Sequence, residues 1–270
     1  MTATDILRYL QEIVGTTIRL NTKLVGSALR EVNNKIMEII AILNQKGGSA
    51  KTTTAVNLSS TLAEQNKKIL LIDLDPQGSA SIWLGFKNPL KGLFTLFTEN
   101  VSILDIISKT CVNGLDIVMI LKNNLQGIDT NIWDYVLIDC PPNLGIISLN
   151  ALTAANKVIV PIETHIMAIQ GLAQLLNTIA TVKDRLNPSL EIDGILPCRV
   201  NNRTRLSKDI ISDLRSRFNS QVYQTIIRES VKLAEAPSFG KPITMYDGRS
   251  SGAEDYRSLS HEIIKRRKGK

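Results

Sequence analysis

The sequence predicts an α/β protein in which a doubly wound, mostly parallel sheet is flanked by helices. Apolar runs that are typical of buried strands alternate along the chain with helical stretches. Several of these runs are nearly continuous in Ile, Leu and Val, which is the pattern of parallel strands covered on both faces. Ligands bind such sheets at the carboxyl ends of the strands, so the loops that follow the strands are the first candidates for a site.

The apolar runs define the predicted elements in order. The predicted strands span residues 37–43, 68–73, 115–120, 134–139, 157–161, 192–197 and 222–226. The predicted helices cover residues 51–65, 145–154, 167–186, 205–218 and 252–267. Because the alternation runs through the rest of the chain, we expect a single domain over residues 36–270.

The first 35 residues follow a different pattern. Ile6, Leu10 and Ile13 lie on one helical face, and Gly15 interrupts it before a second short helix. We expect residues 1–35 to form a short N-terminal helical arm that packs on its own domain or on a partner subunit. This arm is too short for an independent DNA-reading domain.

Composition argues against secreted and membrane-spanning classes. The three cysteines, Cys111, Cys140 and Cys198, lie far apart without a C-x-x-C pair. This usage predicts a reduced, cytoplasmic protein without a disulfide framework or zinc ribbon. No secretory signal is visible, and no apolar run reaches the roughly 18 residues of a membrane span.

Positive charge is concentrated at the C-terminal end. Residues 199–270 contain 16 Lys and Arg against 8 Asp and Glu, a balance of +8, whereas the whole chain carries +7. A basic region of this kind predicts a surface for a polyanion, either nucleic acid or anionic lipid, although a solvated face explains the charge alone equally well.

A glycine-rich loop at residues 45–53, QKGGSAKTT, follows the first predicted strand and opens a predicted helix. This is the context of a phosphate site. Gly47 and Gly48 let the backbone approach phosphates, and the N–H groups of residues 48–52 can converge on an anion at the positive end of the helix. Ser49 and Ala50 complete the predicted loop.

Three side chains after the glycines have predicted roles in this loop. Lys51 is placed to reach the β- and γ-phosphates, Thr52 to bind magnesium, and Thr53 to reach the α-phosphate. Ala50 stands where the usual template has glycine. If that position requires positive φ, alanine costs on the order of 1 kcal/mol, but its backbone donor survives.

Two further predicted strands end in aspartates. Asp73 and Asp75 follow the strand KILLID, and Asp139 ends the strand YVLID. Nucleotide hydrolysis needs a carboxylate that holds magnesium and a group that orients the attacking water. Asp139 suits the first role, through water, and Asp75 suits the second.

Together these segments resemble the ParA/Soj partition ATPases, which are P-loop NTPases of the deviant Walker type that also includes MinD. The resemblance covers residues 36–268 and rests on KGGSAKTT at 46–53, IDLDPQG at 72–78, LIDCPPNLG at 137–145, and VKLAEAPSFGKPITMYDGRSSGAEDY at 231–256. The last of these is especially similar to the ParA/Soj branch.

The resemblance implies roles and partners. Lys46 matches the lysine that crosses a dimer interface to the nucleotide of the other subunit, and Asp75 and Asp139 match the hydrolytic and magnesium-linked aspartates. ATP and Mg²⁺ are the implied cofactors. The implied partners are a second copy in an ATP-dependent sandwich dimer, non-specific double-stranded DNA of the nucleoid, and a ParB-type centromere-binding protein that stimulates slow hydrolysis.

The chain departs from the family pattern at Ala50, in a short segment between residues 120 and 133, and in its N-terminal arm. That arm is much shorter than the helix-turn-helix extensions of some plasmid ParA proteins. We therefore do not expect operator-specific autorepression.

Basic residues of the C-terminal region are the DNA-binding candidates, together with the 265–270 tail. They are Arg203, Arg205, Lys208, Arg215, Arg217, Lys241 and Arg249. Phosphate contacts alone suffice for non-specific binding. Two alternatives remain open: a MinD-like positioning ATPase on a membrane surface, and a nucleotide-gated regulator with little hydrolysis. The tail argues against the first, because only Ile263 and Ile264 are apolar there.

Overall fold

The structure, a computed structural model, describes residues 37–86, 107–119 and 132–268. The predicted arm over residues 1–35 and most of the segment between residues 120 and 133 lie outside these ranges. The described strands form one seven-stranded sheet. They are β1 Glu38–Ile42, β2 Ile69–Asp73, β3 Ser108–Lys109, β4 Leu115–Met119, β5 Tyr135–Asp139, β6 Lys157–Glu163 and β7 Glu191–Cys198.

The sheet has the order β3-β4-β2-β5-β1-β6-β7, and every pairing is parallel except that of β3 with β4. The helices are α1 Lys51–Glu64, α2 Ser79–Trp83, α3 Ile146–Ala154, α4 Ile166–Arg185, α5 Arg205–Phe218, α6 Val231–Glu235, α7 Ile243–Tyr246 and α8 Ser251–Lys268. Short 3₁₀ helices cover Asn219–Gln221 and Ala236–Phe239. All five predicted helices are present, with ends within two residues of the prediction.

Both faces of the sheet are covered, which confirms the doubly wound architecture. Ile39 and Ala41 of β1 belong to a core built with α3, α4 and α5, whereas Ile40 and Ile42 pack into a second core with α1, α2 and α8. Alternate residues of a strand point to opposite faces, so a continuous apolar run fills both cores at once.

The strand predicted over residues 222–226 is wrong. Val222 makes only an isolated parallel bridge to Ile195 of β7. The N–H groups of Gln224 and Thr225 donate to the Glu262 carboxylate on α8, at 3.0 Å and 2.9 Å, and not to the sheet. The Tyr223 N–H still donates to the Ile195 carbonyl oxygen of β7 at 3.0 Å, but the carboxylate on α8 takes the next two donors, so the pairing does not continue as a ladder.

The basic C-terminal end of α8 is anchored to β7 and to Tyr223. The Arg266 guanidinium donates to the Asp193 carbonyl oxygen at 2.7 Å and lies 4.2 Å from the centroid of the Tyr223 ring. Beside it, Lys157 pairs with Asp193 and Glu38, both at 3.0 Å. Arg266 of the predicted DNA-binding tail thus has structural contacts.

No helix among the described residues is long and apolar enough to cross a membrane.

Candidate functional site

The loop between β1 and α1 is tied to the neighbouring strand by Asn44. Its side-chain amide donates to the Pro161 carbonyl oxygen of β6 at 2.6 Å, and its Oδ1 atom accepts the Lys46 N–H at 3.0 Å. Because β1 and β6 are paired in the sheet, these two bonds hold the loop at the carboxyl edge of the strands. The predicted phosphate loop therefore lies where an α/β sheet binds ligands.

Two residues of the loop have left-handed backbone conformations, Gly48 at φ 78° and Ala50 at φ 66°. Position 50 thus requires the positive φ that a template glycine would adopt freely, and alanine bears a strain of about 1 kcal/mol there. Ala50 caps α1 without a side-chain hydrogen bond. The first N–H groups of the helix are therefore not capped by a side chain, as an anion site requires.

Lys51 is buried at the start of α1, and its ammonium group donates to the Lys46 carbonyl oxygen at 3.2 Å. Burial lowers the pKa of Lys51, and the nearby carboxylates of Asp139 and Asp75 oppose this shift. The ammonium thus bridges the two ends of the loop and faces acidic neighbours, close to where phosphates would bind.

Asp73 and Asp139 end the adjacent strands β2 and β5 and are register partners in the sheet. Both are fully buried. Burial raises the pKa of Asp139 to about 8, and the neighbouring Asp73 adds to the shift, while the Thr52 hydroxyl and Lys51 oppose it. Asp73 also has a raised pKa through burial, although its Oδ2 atom accepts two hydrogen bonds from Ser81, both at 2.8 Å.

The Thr52 hydroxyl lies close enough to Asp139 to lower its pKa, but neither carboxylate oxygen has a partner with the distance and angle of a hydrogen bond among the described residues. Buried polar atoms without a partner are rare and point to a missing ligand. No cluster of three or more His, Cys, Asp or Glu side chains that could hold a metal occurs in the described ranges. A cation at Asp139 and Thr52 would take its other ligands from water and phosphate, as Mg²⁺ commonly does.

Asp75 lies half-buried in the loop after β2, where its Oδ1 atom accepts the Gln77 N–H at 3.0 Å. It lines the same cavity as the phosphate loop. The structure therefore brings together Asp75, Lys51 and Thr52, as the sequence predicted.

The cavity at this edge has a volume of about 1070 Å³, at the upper end of the range for small-molecule sites. Sequence reasoning missed the wall opposite the phosphate loop. That wall consists of Cys198–Arg203, Ile227–Val231, Leu233 and Ala234, with Tyr256. The position of residues 198–203 after β7 was the available signal, since every carboxyl end of a parallel strand contributes to such a crevice.

The DNA-binding candidates lie on three different parts of the domain. Arg203 lines the cavity, just before α5. Four candidates lie on α5, where Arg205 and Arg217 pair with Asp209 and Asp213. Arg215 donates to the Gln224 carbonyl oxygen at 3.1 Å, and Lys208 is exposed. Lys241 and Arg249 are exposed in the loops that precede α7 and α8. The structure does not gather the seven on one helix.

Lys46 differs from Lys51 in its surroundings. Its side chain is 47% exposed, and its ammonium group lies 3.3 Å from Oε2 of Glu163, at the end of β6. The other oxygen of that carboxylate accepts a hydrogen bond from Arg199 at 2.9 Å. Lys46, the first lysine of the loop, therefore has an acidic partner in its own subunit, at the end of β6.

Comparison with known proteins identifies similar chains. Residues 40–243 match the family model of the CobQ/CobB/MinD/ParA nucleotide binding domain. The chain is 40% identical over 248 residues to the sporulation initiation inhibitor protein Soj of Bacillus subtilis, covering 84% of this chain and 98% of that protein. It is 38% identical over 253 residues to the chromosome partitioning protein ParA of Caulobacter vibrioides, covering 85% and 95%.

Solved structures show the same fold. Cobyrinic acid a,c-diamide synthase from Mycobacterium smegmatis, with bound ADP and magnesium, superposes with a TM-score of 0.73 at 29% identity, covering 86% of this chain and 96% of that chain. The cell division ATPase MinD of Pyrococcus furiosus has a TM-score of 0.69 at 22% identity, covering 84% and 98%, and supports the fold alone.

Proposed function

The chain belongs to the CobQ/CobB/MinD/ParA nucleotide-binding family, and from this premise we propose that it is a partition ATPase that switches on DNA. In this proposal, ATP joins two subunits in a sandwich dimer, the dimer binds DNA without sequence preference, and hydrolysis releases it. The relatives named Soj and chromosome partitioning protein ParA support the partition role.

The cavity supports a position for the nucleotide. The phosphates of the nucleotide bind the N–H groups of residues 48–52 and the Lys51 ammonium. The Thr53 side chain reaches the α-phosphate. The base then extends toward the wall formed by residues 198–203, 227–231, 233 and 234. A partly apolar wall with two asparagines, Asn201 and Asn202, offers both contact area and hydrogen-bonding groups to a base.

The unpartnered carboxylate of Asp139 and the Thr52 hydroxyl would hold magnesium, directly or through water. When bound, magnesium neutralises charge that develops on the phosphates. Asp75 orients the attacking water from the mouth of the site. Lys51 stays beside the transferring phosphate and stabilises the same charge.

The two environments of the loop lysines carry the proposal of a dimer. Lys51 is buried near Asp139, whereas Lys46 is half-exposed and pairs with Glu163 at the end of β6. One nucleotide does not need both. A half-exposed lysine at the rim is instead available to the nucleotide of a facing subunit, where it offsets the charge of two closely placed ATP molecules.

Exposed basic side chains support DNA as the surface to which the dimer binds. We assign phosphate contacts to Arg203, Lys208, Lys241 and Arg249, with weaker contributions from the partly paired Arg205, Arg215 and Arg217. A ParB-type centromere-binding protein stimulates hydrolysis in this scheme, and the ATP-bound dimer associates with the nucleoid. A ligand can bias the switch only through its different affinity for the two states.

Binding to random-sequence duplex DNA tests the proposal. The wild type is compared with Lys46→Ala and Asp75→Ala, in ATP, in ADP and without nucleotide, at two salt concentrations. We expect binding only with ATP, weakened by salt, lost in Lys46→Ala and prolonged in Asp75→Ala. Binding that is indifferent to nucleotide, or absent throughout, would contradict the DNA switch.

A membrane-surface role has less support from the described residues. Ile263 is fully buried, and Ile264 packs against the same core. The apolar residues near the end of α8 are therefore used inside the domain, and a membrane helix needs them on its surface. Binding to anionic liposomes, run beside the DNA assay, separates the two functions.

A further inference from the structure

We propose that Glu163 and Arg199 are positioning residues that control Lys46: Glu163 holds Lys46 within its own subunit, and Arg199 keeps that carboxylate paired when Lys46 leaves. This inference rests on the proposed sandwich dimer, in which Lys46 must leave its own subunit to reach the partner's nucleotide. The pair would set the nucleotide concentration at which the dimer forms.

Three strand ends bring these residues together. Lys46 follows β1, Glu163 ends β6, and Arg199 follows β7 directly, and the three strands are neighbours in the sheet. The carboxylate of Glu163 accepts one cation on each oxygen, with Lys46 at 3.3 Å and Arg199 at 2.9 Å. It also lies against the phosphate loop, because a Cβ atom added to Gly48 would meet its Oε1 atom at 4.0 Å.

The two cations differ in how firmly they are placed. The side chain of Glu163 is 17% exposed, so the carboxylate itself has little freedom. Arg199 has a left-handed backbone at φ 52°, a conformation that non-glycine residues adopt only where their surroundings impose it. Its guanidinium lies 2.9 Å from the Glu163 carboxylate, against 3.3 Å for the Lys46 ammonium, although the Arg199 side chain is the more exposed of the two, 59% against 47%. Lys46 is therefore the cation that can leave while the carboxylate keeps a partner.

Arg199 determines the net charge beside the phosphate loop once Lys46 has left. If Lys46 left and Arg199 were absent, Glu163 would stand unpaired beside the phosphate loop and would repel the bound nucleotide. With Arg199 present, the carboxylate stays neutralised after Lys46 has gone. Glu163 thus opposes dimer formation, and Arg199 favours it, so substitutions of the two should act in opposite directions.

The test measures the concentration of a non-hydrolysable ATP analogue, with magnesium, at half-maximal dimerisation of the full chain, by light scattering after size exclusion. We expect Glu163→Gln to lower this concentration by about two- to fivefold and Arg199→Gln to raise it by a similar factor, as for a partly exposed ion pair. If Arg199 acts through Glu163, and not directly on the nucleotide whose cavity it also lines, the double variant should behave like Glu163→Gln.

Controls separate positioning from folding and from the proposed function. Glu64→Gln breaks a comparable pair with Arg257, at 2.7 Å between α1 and α8, and should not move the midpoint. Arg199→Lys should restore most of the wild-type value. Melting temperatures of all variants, taken without nucleotide, report any loss of folding.

The outcomes are distinct. If the wild type does not dimerise with the ATP analogue, the proposed dimer is wrong, and if Lys46→Ala dimerises as the wild type does, the role of Lys46 across the interface is wrong. If Lys46→Ala stays monomeric and the midpoint is unchanged in both Glu163→Gln and Arg199→Gln, the dimer stands and this inference is overturned. A rise in the midpoint for Glu163→Gln would also overturn it, because Glu163 would then support the dimer.

Discussion

Replacing Asp139 with asparagine should stabilise the nucleotide-free protein in a way that grows with pH. Burial raises the pKa of Asp139 from 3.8 to about 8 in the folded chain. Between these values the folded protein holds a proton that the unfolded chain releases, so wild-type stability falls as pH rises through this window. Above pH 8 the wild type has lost all of this contribution to its unfolding free energy. Asparagine does not titrate, so the variant does not lose stability in this way.

The magnitude follows from the shift. Over the three pH units from 5 to 8, at about 1.4 kcal/mol per unit, the difference in unfolding free energy between variant and wild type should rise by as much as about 4 kcal/mol. The cost of burying the asparagine amide is the same at every pH and cancels from this rise. For a domain of this size, the gap in melting temperature should widen by about 10 °C.

Thermal unfolding without nucleotide and magnesium, at pH 5, 6, 7 and 8, measures the gap. Asp75→Asn is the matched control, because it removes the same charge from a half-buried loop position and not from a fully buried strand end. A gap for Asp139→Asn that stays constant across this range would show that the carboxylate is already ionised in the folded protein. The reasoning from burial would then fail.

Three further substitutions test other features. Ala50→Gly relieves the backbone strain at φ 66° but adds conformational freedom to the unfolded chain, and these two effects oppose each other. Calorimetry should therefore show a small rise in melting temperature of about 1 °C. A fall in melting temperature would mean that the contacts of the alanine methyl group matter more than the strain. Gly194→Ala would place a Cβ atom 2.5 Å from the ring of Tyr223, so urea unfolding should show that the unfolding free energy falls by about 2 kcal/mol. The control Gly171→Ala places its Cβ atom with nothing within 4 Å, so this variant should be as stable as the wild type or more stable. Arg266→Ala removes the hydrogen bonds to the Asp193 carbonyl oxygen and the Glu262 carboxylate, together with the contact on the Tyr223 ring, and should lower the unfolding free energy by about 1–2 kcal/mol. Lys265→Ala, at the exposed neighbouring position, should not, and equal losses would contradict the anchoring of α8.

The sequence alone determined the parts of the molecule that depend on local pattern. The run EIIAI predicts a strand because each of its residues faces one of two cores, and the loop after it predicts a phosphate site because glycines and a helix start follow in order. Asp73 and Asp139 were predicted at strand ends and are register partners there. Even the strain at Ala50 was foreseeable, since the template requires a glycine.

Only the tertiary structure decided which distant residues meet. Lys46 and Glu163 are 117 residues apart in the chain, and they meet because β6 pairs with β1, a choice of strand order that periodicity does not encode. The same reason explains the cavity wall at residues 198–203 and the anchoring of Arg266, which the family resemblance had included among the DNA-binding candidates. The error at residues 222–226 has this cause too. An apolar run becomes a strand only if its pairing with a neighbouring strand continues, and here, after the one bond from Tyr223 to β7, Glu262 of α8 accepts the N–H groups of Gln224 and Thr225.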